Sequence, residues 1–410
     1  MQTRPNRTAP LKHHLKQLGP ALVLATVVLG PGSLTLNTIA GSVYGYRLVW
    51  VPVTATIFMV LYTWMSARIS LVTGQTLFQL TRRKYGPGLA RVGGLFGFMA
   101  ILAFQAGNSA AVGFAANALI DLDVRVWAVL LVLPALAFIL LPNLYRKLEL
   151  IVKIFVGLMI ITFVGTLVLV GVRPDAALQG LIPTLPDTEA LFLTLGMAAT
   201  TFSIAAAVYQ GYLVREKKWG ADDLGADNLD ALVGIGVLGG ISTIILLTSA
   251  GALFGTGISV FTAREMAIQI EPLAGPIGFY LFTLGFFFAS FSSLIVNPLI
   301  GATLLADGFG LDAAMDGRPV KQWAAVGLGV GLLVVLLFEG SPVELLRVAQ
   351  AFAVVAFPVL GLLILSIARD RPLMGGHVVR PWVQVLAAIG YLAILGIVLT
   401  YLRQIAATLF

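Results

Sequence analysis

The hydropathy pattern divides the chain into eleven apolar stretches, each long enough to cross a lipid bilayer. A membrane-spanning helix needs about 20 mostly apolar residues, and charged or Gly- and Pro-rich segments separate such stretches along most of the 410 residues. Because backbone polar groups in the bilayer core must be hydrogen-bonded within the protein, spans of this length form helices. The predicted spans are 18–45, 48–72, 92–119, 124–143, 148–172, 189–214, 229–256, 275–306, 321–338, 342–368 and 382–405.

The composition excludes a soluble protein. Only 11% of the residues are charged and 59% are hydrophobic, whereas a soluble domain carries about 25% charged residues. The chain therefore lacks the material for a water-facing shell, and we predict an all-α polytopic membrane protein. We expect the lipid bilayer to be a partner of this chain.

The residues that catalysis requires are missing from the predicted spans. The chain has no Cys, and its three His residues, His13, His14 and His377, fall in a tail and a loop. No paired carboxylates and no phosphate-binding loop are present to act as acid, base or cofactor site. The sequence predicts no enzyme activity, no catalytic residue and no cofactor.

Basic residues are distributed unequally between the two sides of the predicted spans. The N-terminal tail and the connections on its side hold 19 of the 26 Lys and Arg residues; the opposite side holds 6, and Arg68 lies near the end of the second span. This positive-inside bias predicts a cytoplasmic N-terminus and an external C-terminus in an inner or plasma membrane. It accounts for the net charge of +7 without a nucleic-acid partner.

Residues 1–410 are predicted to form a single transmembrane domain, which we expect to be monomeric. The longest polar connection, residues 215–230, mixes Lys with Asp222, Asp223, Asp227 and Asp230. A mixed-sign run of this kind is usually solvated. We therefore expect a solvated loop that contains at most a short surface helix.

The first span is interrupted near its middle by Gly30-Pro31-Gly32-Ser33. Pro31 removes a backbone donor, and the two Gly residues lower the cost of unwinding, so the helix should break at Pro31 and Gly32. Broken helices in transporters line substrate cavities, and Ser33 is a candidate cap for the second half-helix. The alternative is a simple Pro kink that packs against a neighbouring helix.

The sixth span has a small, hydroxyl-rich centre that contains Thr200, Thr201 and Ser203. Such a segment permits close helix approach or local distortion. It lies five spans after the interrupted first span, which is the spacing that an inverted repeat of five plus five spans predicts. The two repeats would cover about 18–172 and 189–368, followed by an extra helix at about 382–405.

The sequence resembles the natural resistance-associated macrophage protein (NRAMP) family of divalent-metal transporters along nearly its whole length. The matching residues are Gly19-Pro20, Pro31-Gly32, Ala40-Gly41, Gly45-Tyr46, Trp50, Ser66-Ala67-Arg68, Val72-Thr73-Gly74, Asn117, Arg146-Lys147-Leu148-Glu149, Gly180-Leu181, Pro183, Pro186, Leu213-Val214, Ser290, Ser293, Asp307-Gly308-Phe309, Gln350 and Phe357-Pro358. The resemblance implies a fold of the leucine-transporter type, with spans 1 and 6 unwound around a midplane site and alternating access.

The chain departs from the family pattern at the metal-binding motifs. Where the family has Asp-Pro-Gly-Asn, Gly30 and Ser33 replace both metal-binding side chains, and Ser203-Ile204-Ala205 stands where the family has Met-Pro-His. Only Gln350 keeps a family residue among the predicted site positions. The substrate-binding residues that the resemblance implies are Gly30, Ser33, Thr200, Thr201, Ser203 and Gln350.

Three polar residues occupy positions where the family carries titratable groups. A second family His aligns with Gln210, and the acidic pair of the third span appears as Gln105 and Asn108. These three amides would line a polar pathway. Gln105 and Asn108 are three residues apart on one helix face, so the alternative for them is a structural amide bridge. Loss of the titratable groups predicts weak or absent proton coupling.

Three functions remain compatible with a neutral site. A dehydrated divalent cation needs charged or soft ligands, so the first is transport of largely hydrated Mg²⁺, held through water by Ser33, Ser203 and Gln350, in preference to Mn²⁺ or Fe²⁺. The second is transport of a small anion or neutral solute at half-helix N-termini. The third is a membrane receptor that transports nothing.

Overall fold

The computed structural model describes residues 19–256, 263–337 and 356–409, and these residues form helices and turns without a β-strand. Gly45–Leu48, Ala221–Asp223 and Gly375–His377 are 3-10 turns. The α-helices are α1 (Pro20–Val28), α2 (Pro31–Tyr44), α3 (Trp50–Thr73), α4 (Leu77–Tyr85), α5 (Pro87–Leu119), α6 (Val124–Ile139), α7 (Leu144–Val170), α8 (Pro174–Gln179), α9 (Thr188–Thr201), α10 (Ile204–Glu216), α11 (Leu224–Leu253), α12 (Ala263–Gly308), α13 (Arg318–Leu337), α14 (Ala356–Ala368), α15 (Arg371–Met374) and α16 (Pro381–Leu409).

Apolar helices are found at every predicted span. Seven described helices are long and apolar enough to cross a membrane, and an eighth is obtained when α1 and α2 count as one bent span. The fourth, tenth and eleventh predicted spans correspond to the shorter apolar helices Val124–Ile139, Ala356–Ala368 and Pro381–Gly396. The prediction of an all-α polytopic membrane protein is therefore confirmed. Gln350 and the first half of the tenth span lie outside the described residues.

The first span is broken as the sequence predicts, with a bend of 59° between its two halves. α1 ends at Val28, and Gly30 has extended backbone angles, φ −65° and ψ 170°. Pro31 opens α2, where its missing N–H costs nothing because the first turn of a helix has no internal partner for it. The cap is Gly30, without a side-chain hydrogen bond. The expectation that Ser33 caps α2 is wrong, because Ser33 already lies inside the first turn.

The sixth span is interrupted without proline. α9 ends at Thr201, and the non-helical residues Phe202 and Ser203 separate it from α10. The Ser203 hydroxyl accepts a hydrogen bond from the backbone N–H of Ala206 at 3.4 Å and so caps α10. A serine at the cap position satisfies one of the free N–H groups of the new helix, which stabilises the interruption.

Small residues bring α5 and α12 into close contact. A Cβ atom on Gly94 would lie 2.6 Å from the backbone oxygen of Leu304 and 2.8 Å from Cα of Gly308. Without a hydrophobic driving force in lipid, helix association depends on such close packing. The second half of α12 begins after a kink at Gly275, where φ is 66°.

The polar connection 215–230 is shorter than the sequence indicates. α11 begins at Leu224, so Asp227 and Asp230 lie inside a helix, and both are fully buried. The expectation of a solvated loop is wrong for these two residues. The physical reason is a distant partner: Asp230 accepts hydrogen bonds from the backbone N–H groups of Gly19 and Ala21, both at 2.7 Å.

Candidate functional site

A small cavity lies where the two broken helices face each other. It is bounded by the ends of α1, α2, α9 and α10, by α5 and by α12. The residues that line it are Val28, Gly30, Gly32, Ser33, Ile101, Phe104, Asn108, Ala199, Thr200, Ser203 and Asn297.

Most of the predicted substrate-binding residues meet at this cavity. Gly30, Ser33, Thr200 and Ser203 line it, together with Asn108 of the predicted polar pathway and Gly32 of the helix break. The other predicted residues do not line the cavity. Three of them are buried next to its lining: Pro31, Thr201 and Gln105. Gln210 lies on α10, towards the end of the bundle where α1 begins, and Gln350 is outside the described residues.

Ser33 is held in place by polar side chains from two helices. The Asn37 side-chain amide donates to the Ser33 backbone oxygen at 2.7 Å and to the Ser33 hydroxyl at 3.2 Å. The Ser33 hydroxyl also lies 3.4 Å from the hydroxyl of Ser242 on α11. Sequence reasoning missed Asn37, although its position one helical turn after Ser33 is a usable signal.

The hydroxyls of the sixth span differ in their partners. Thr200 donates back to the backbone oxygen of Gly196 at 2.9 Å. The Thr201 hydroxyl is fully buried and has no hydrogen-bond partner among the described residues. Since Ser203 is partly exposed towards the cavity, its oxygen is the one best placed to meet a solute or its water shell.

The third span contributes two amide side chains near the cavity. The Gln105 amide donates to the backbone oxygen of Leu294 on α12 at 3.2 Å, and Asn108 donates to the Gln105 side-chain oxygen at 3.5 Å. Gln105 therefore takes part in the structural bridge between the two amides, while Asn108 also reaches the cavity. Asn297 of α12 also lines the cavity.

Among the described residues, the cavity lining carries no ionisable side chain. Within the described residues, no group of three or more His, Cys, Asp or Glu side chains is arranged to hold a metal ion. The polar character of the cavity comes from hydroxyls, amides and helix ends. The C-termini of α1 and α9 present backbone carbonyls, and the N-termini of α2 and α10 present N–H groups.

Aromatic side chains close one side of the site. A small neighbouring apolar cavity is lined by Phe104, Phe202, Ser203 and Phe357 among others. The ring of Phe202 lies 5.0 Å from that of Tyr62 and 5.2 Å from that of Phe357, measured between centroids. This cluster joins α3, the sixth-span break and α14, and it separates the polar cavity from the space beyond.

Each end of the bundle has its own polar contact. At the end where α2 finishes, the Tyr44 hydroxyl donates to Asp187 at 2.7 Å. The backbone N–H of Ala190, followed by Tyr44, lowers the pKa of the Asp187 carboxyl below its ordinary value. At the opposite end, buried Asp307 pairs with Arg82 at 2.8 Å and accepts from Tyr212 at 2.6 Å.

Comparison with known proteins identifies the family. The model of the family described as natural resistance-associated macrophage protein-like (Nramp) matches residues 21–404. The chain belongs to this NRAMP family. The resemblance inferred from the sequence motifs is therefore confirmed.

Two curated NRAMP relatives illustrate the distance within the family. The divalent metal cation transporter MntH of Acidiphilium cryptum is 26% identical over 401 residues, covering 94% of this chain and 90% of the relative. A protein of the same name from Chromohalobacter salexigens is 29% identical over 300 residues, covering 70% and 69%.

Solved structures confirm the fold. A mutant of the Eremococcus coleocola manganese transporter superposes with a TM-score of 0.84 at 16% identity, covering 97% of this chain and 88% of that one. A transporter of the nucleobase-cation-symport-1 family in a closed conformation matches with a TM-score of 0.56 at 16% identity, covering 95% and 93%. The predicted inverted-repeat fold of the leucine-transporter type, with broken spans 1 and 6, is thus confirmed for this NRAMP-family chain.

Proposed function

We propose that this NRAMP-family protein moves a divalent metal cation across a membrane by alternating access through the cavity between its two broken helices. The observation that carries the proposal is the meeting of both helix breaks at one polar cavity, where α1 and α9 end. The C-terminus of a helix carries the negative end of its dipole, which favours a cation. The names of the curated relatives, divalent metal cation transporters, support the substrate class.

The neutral lining favours a cation that keeps its water. A transition metal that has lost its hydration shell needs charged or soft ligands, and the described residues that line this cavity include no carboxylate, thioether or imidazole. Mg²⁺ dehydrates reluctantly and is commonly bound with several of its waters. We therefore propose largely hydrated Mg²⁺ in preference to Mn²⁺ or Fe²⁺, contacted through water by Ser33, Ser203 and Gln350.

We further propose that transport proceeds with weak or no proton coupling and that the protein is not an enzyme. The side chains of Gln105 and Asn108 in the third span are amides. Because an amide does not titrate, these two residues cannot relay a proton. The basic-residue asymmetry supports a cytoplasmic N-terminus and an external C-terminus in the inner or plasma membrane of the cell. The proposed unit is a monomer, with one domain and repeats at about 18–172 and 189–368.

A second candidate substrate is a small anion or neutral solute. The N-termini of α2 and α10 both face the cavity, and helix N-termini attract negative groups. The N–H groups of these termini attract an anion, whereas the carbonyls at the ends of α1 and α9 attract a cation. The charge of the preferred solute therefore depends on whether the N–H groups or the carbonyls approach it more closely during transport.

Flux measurements in liposomes separate the candidates. Purified protein would be reconstituted with an internal Mg²⁺ indicator, a Mn²⁺ indicator or a pH dye, each in a separate preparation. Saturable Mg²⁺ entry without acidification supports the proposal. Saturable Mn²⁺ entry with proton entry contradicts the argument from missing ligands. Absence of flux with both metals favours the anion or neutral-solute function, or a receptor that transports nothing.

Matched variants tie the flux to the cavity. Ser203→Ala removes a hydroxyl that lines the cavity, whereas Ser42→Ala removes a hydroxyl on α2 whose hydrogen bond, to the backbone oxygen of Ile39, is local. We expect Ser203→Ala to change the apparent KM for Mg²⁺ and Ser42→Ala to leave it unchanged. Equal effects of the two substitutions would place the substrate elsewhere.

A further inference from the structure

Two aspartates lie buried on one face of α11 near its N-terminus. Asp227 and Asp230 are three residues apart, and the exposed fraction of each is 0%. Residues at this spacing are neighbours on a helix surface. Their burial requires an explanation, because an ionised carboxylate away from water is costly unless it is paired or hydrogen-bonded.

Asp230 has the partners that its ionised form needs. Its Oδ1 accepts from the backbone N–H of Gly19 and its Oδ2 from that of Ala21, both at 2.7 Å. These donors belong to the first turn of α1, which has no cap of its own because Gly19 provides no side chain. A carboxylate at a helix N-terminus is stabilised by the free N–H groups and the helix dipole. Asp230 thus joins the start of α1 to α11.

Asp227 is in the opposite situation. Neither of its carboxylate oxygens has a hydrogen-bond partner among the described residues. Gln210 of α10 is also fully buried: its amide nitrogen lies 3.4 Å from Oδ2 of Asp230, while its side-chain oxygen has no donor in the described part of the chain. These unpaired oxygens are all acceptors, so none of them can donate to another. The Gln210 side chain faces both carboxylates, and one neutral amide does not offset two buried negative charges.

One proton resolves the mismatch. A protonated Asp227 can donate to the Gln210 side-chain oxygen, which satisfies both groups and removes the second negative charge from the vicinity of Asp230. Buried polar networks are stable when every member is paired and costly when they are not. A metal ion bound between these side chains would need a cavity, whereas a proton needs none.

Among the described residues, the cations near the pair, Arg68 and Lys217, make their hydrogen bonds and ion pairs with other groups. Arg68 of α3 donates to the backbone oxygen of His377 at 2.9 Å and lies over the ring of Trp64. Lys217 pairs with Glu149 of α7 at 2.7 Å. In the part of the chain that the structure describes, the tyrosine that faces the pair is Tyr145 of α7, which lies near Asp230 and Glu149. Lys153 binds Glu149, and Arg380 lies near Arg68.

We propose that Asp227 binds a proton and, in this protonated form, donates a hydrogen bond to the side-chain oxygen of Gln210. This bond completes a chain from Asp227 through Gln210 to Asp230, which keeps the N-terminus of α1 docked on α11. Loss of the proton leaves two carboxylates one helical turn apart and breaks the chain at Gln210. The docking of the start of α1 on α11 is then weakened. The proton controls the position of α1 and does not accompany the transported ion, which agrees with weak proton coupling of flux. Only the meaning of this motion for transport rests on the proposed function.

Infrared spectroscopy tests the proton directly. The purified protein at neutral pH should show the C=O stretching band of a protonated carboxylic acid. Asp227→Asn should remove this band, and Asp175→Asn, which removes an exposed carboxyl outside the pair, should retain it as the control. Absence of an Asp227-dependent band at neutral pH overturns the proposal. The measurement needs no transport activity, so its result is independent of whether Mg²⁺ or any other ion is carried.

Thiol labelling tests the docking of α1. The chain has no Cys, so Ala25→Cys, at a position that is 0% exposed on α1, introduces the only thiol. Labelling with a water-soluble maleimide should accelerate as the pH is raised. Leu178→Cys, at an exposed position on α8, corrects for the reactivity of the thiol itself.

Two further substitutions in the Ala25→Cys protein fix the assignment. Asp227→Asn keeps a neutral donor for Gln210, so labelling should stay slow at every pH. Asp230→Asn removes a charged acceptor of two backbone bonds, and labelling should be about tenfold faster at every pH. Unchanged labelling in Asp230→Asn, or the same pH dependence in Asp227→Asn as without it, would refute the chain from Asp227 to α1.

Discussion

The Tyr44 hydroxyl donates a 2.7 Å hydrogen bond to the Asp187 carboxylate, which also caps α9 through the backbone N–H of Ala190. The bond joins the end of the first span to the start of the sixth, so the two broken spans are linked at this end of the bundle. At the other end, Asp230 links the start of the first span to the seventh. Each end of the broken first span is thus held by one aspartate.

Tyr44→Phe should lower the melting temperature by about 2 °C because it removes one side-chain hydrogen bond from a large helical domain. The effect should depend on pH. The pKa of Asp187 is below its ordinary value, so its stabilising contribution is complete above about pH 4 and is lost as the pH falls through the lowered pKa. Thermal melts in detergent across this range measure both effects. Tyr280→Phe, at an exposed position, should change neither.

Arg82→Gln should destabilise the protein by about 3 kcal/mol, the cost of leaving a buried carboxylate without its ion-pair partner. The side chain of Asp307 is only 2% exposed, whereas that of Arg82 is 25% exposed. Asp307→Asn should therefore cost less, because the unpaired Arg82 can reach water. Melting of both variants and of the double variant measures the difference. A larger loss in Asp307→Asn than in Arg82→Gln would contradict this assignment.

Gly94→Ala should destabilise the contact between α5 and α12 by about 2 kcal/mol, because the added methyl group overlaps backbone atoms of Leu304 and Gly308. Backbone atoms cannot move aside as a flexible side chain does. Gly329→Ala in α13 is the control, since a Cβ there has no atom within 4 Å. It should be neutral or slightly stabilising because Ala favours the helix. Equal melting of the two variants would show that α5 and α12 separate at little cost.

Gly30→Asp should introduce tight transition-metal binding, with a gain of at least about tenfold in Mn²⁺ affinity measured by calorimetry. Gly30 is the cap of α2 and lines the cavity, and Asp is well tolerated at a helix cap. Ser42→Asp, on the same helix but outside the cavity lining, controls for added charge. If Gly30→Asp gains no more affinity than Ser42→Asp, the cavity differs from the NRAMP metal site at more positions than the motifs of the first and sixth spans.

Much of the fold was predictable because bilayer thickness and the lack of water impose strong local rules. The lengths of the apolar runs gave the spans, and Gly30-Pro31-Gly32 gave the first break, each from neighbouring residues alone. The sixth-span break was harder to place, since Ser203 begins a helix without proline and nothing in the local sequence requires Phe202 to leave the helical region.

The buried acids were not predictable from local sequence. The carboxylates of Asp227 and Asp230 stand in a run of mixed charge that resembles a solvated loop, and the partners of Asp230 lie about 210 residues earlier in the chain. Asn37 and Asn297 were missed at the cavity for a related reason: an amide within an apolar span indicates a hydrogen bond and gives no information about which helix it faces. Gln350 stays a prediction because it lies outside the described residues.

The two shortest contacts of Asp230 are with main-chain N–H groups, which any residue other than proline supplies. Exchanges of side chain at positions 19 and 21 therefore leave the cap intact and require no compensating change at position 230. In an alignment of relatives, positions 19 and 21 should show no covariation with position 230, although their backbone N–H groups contact its carboxylate directly. The residue that holds the start of the first span would then be visible only as an invariant acid with no partner.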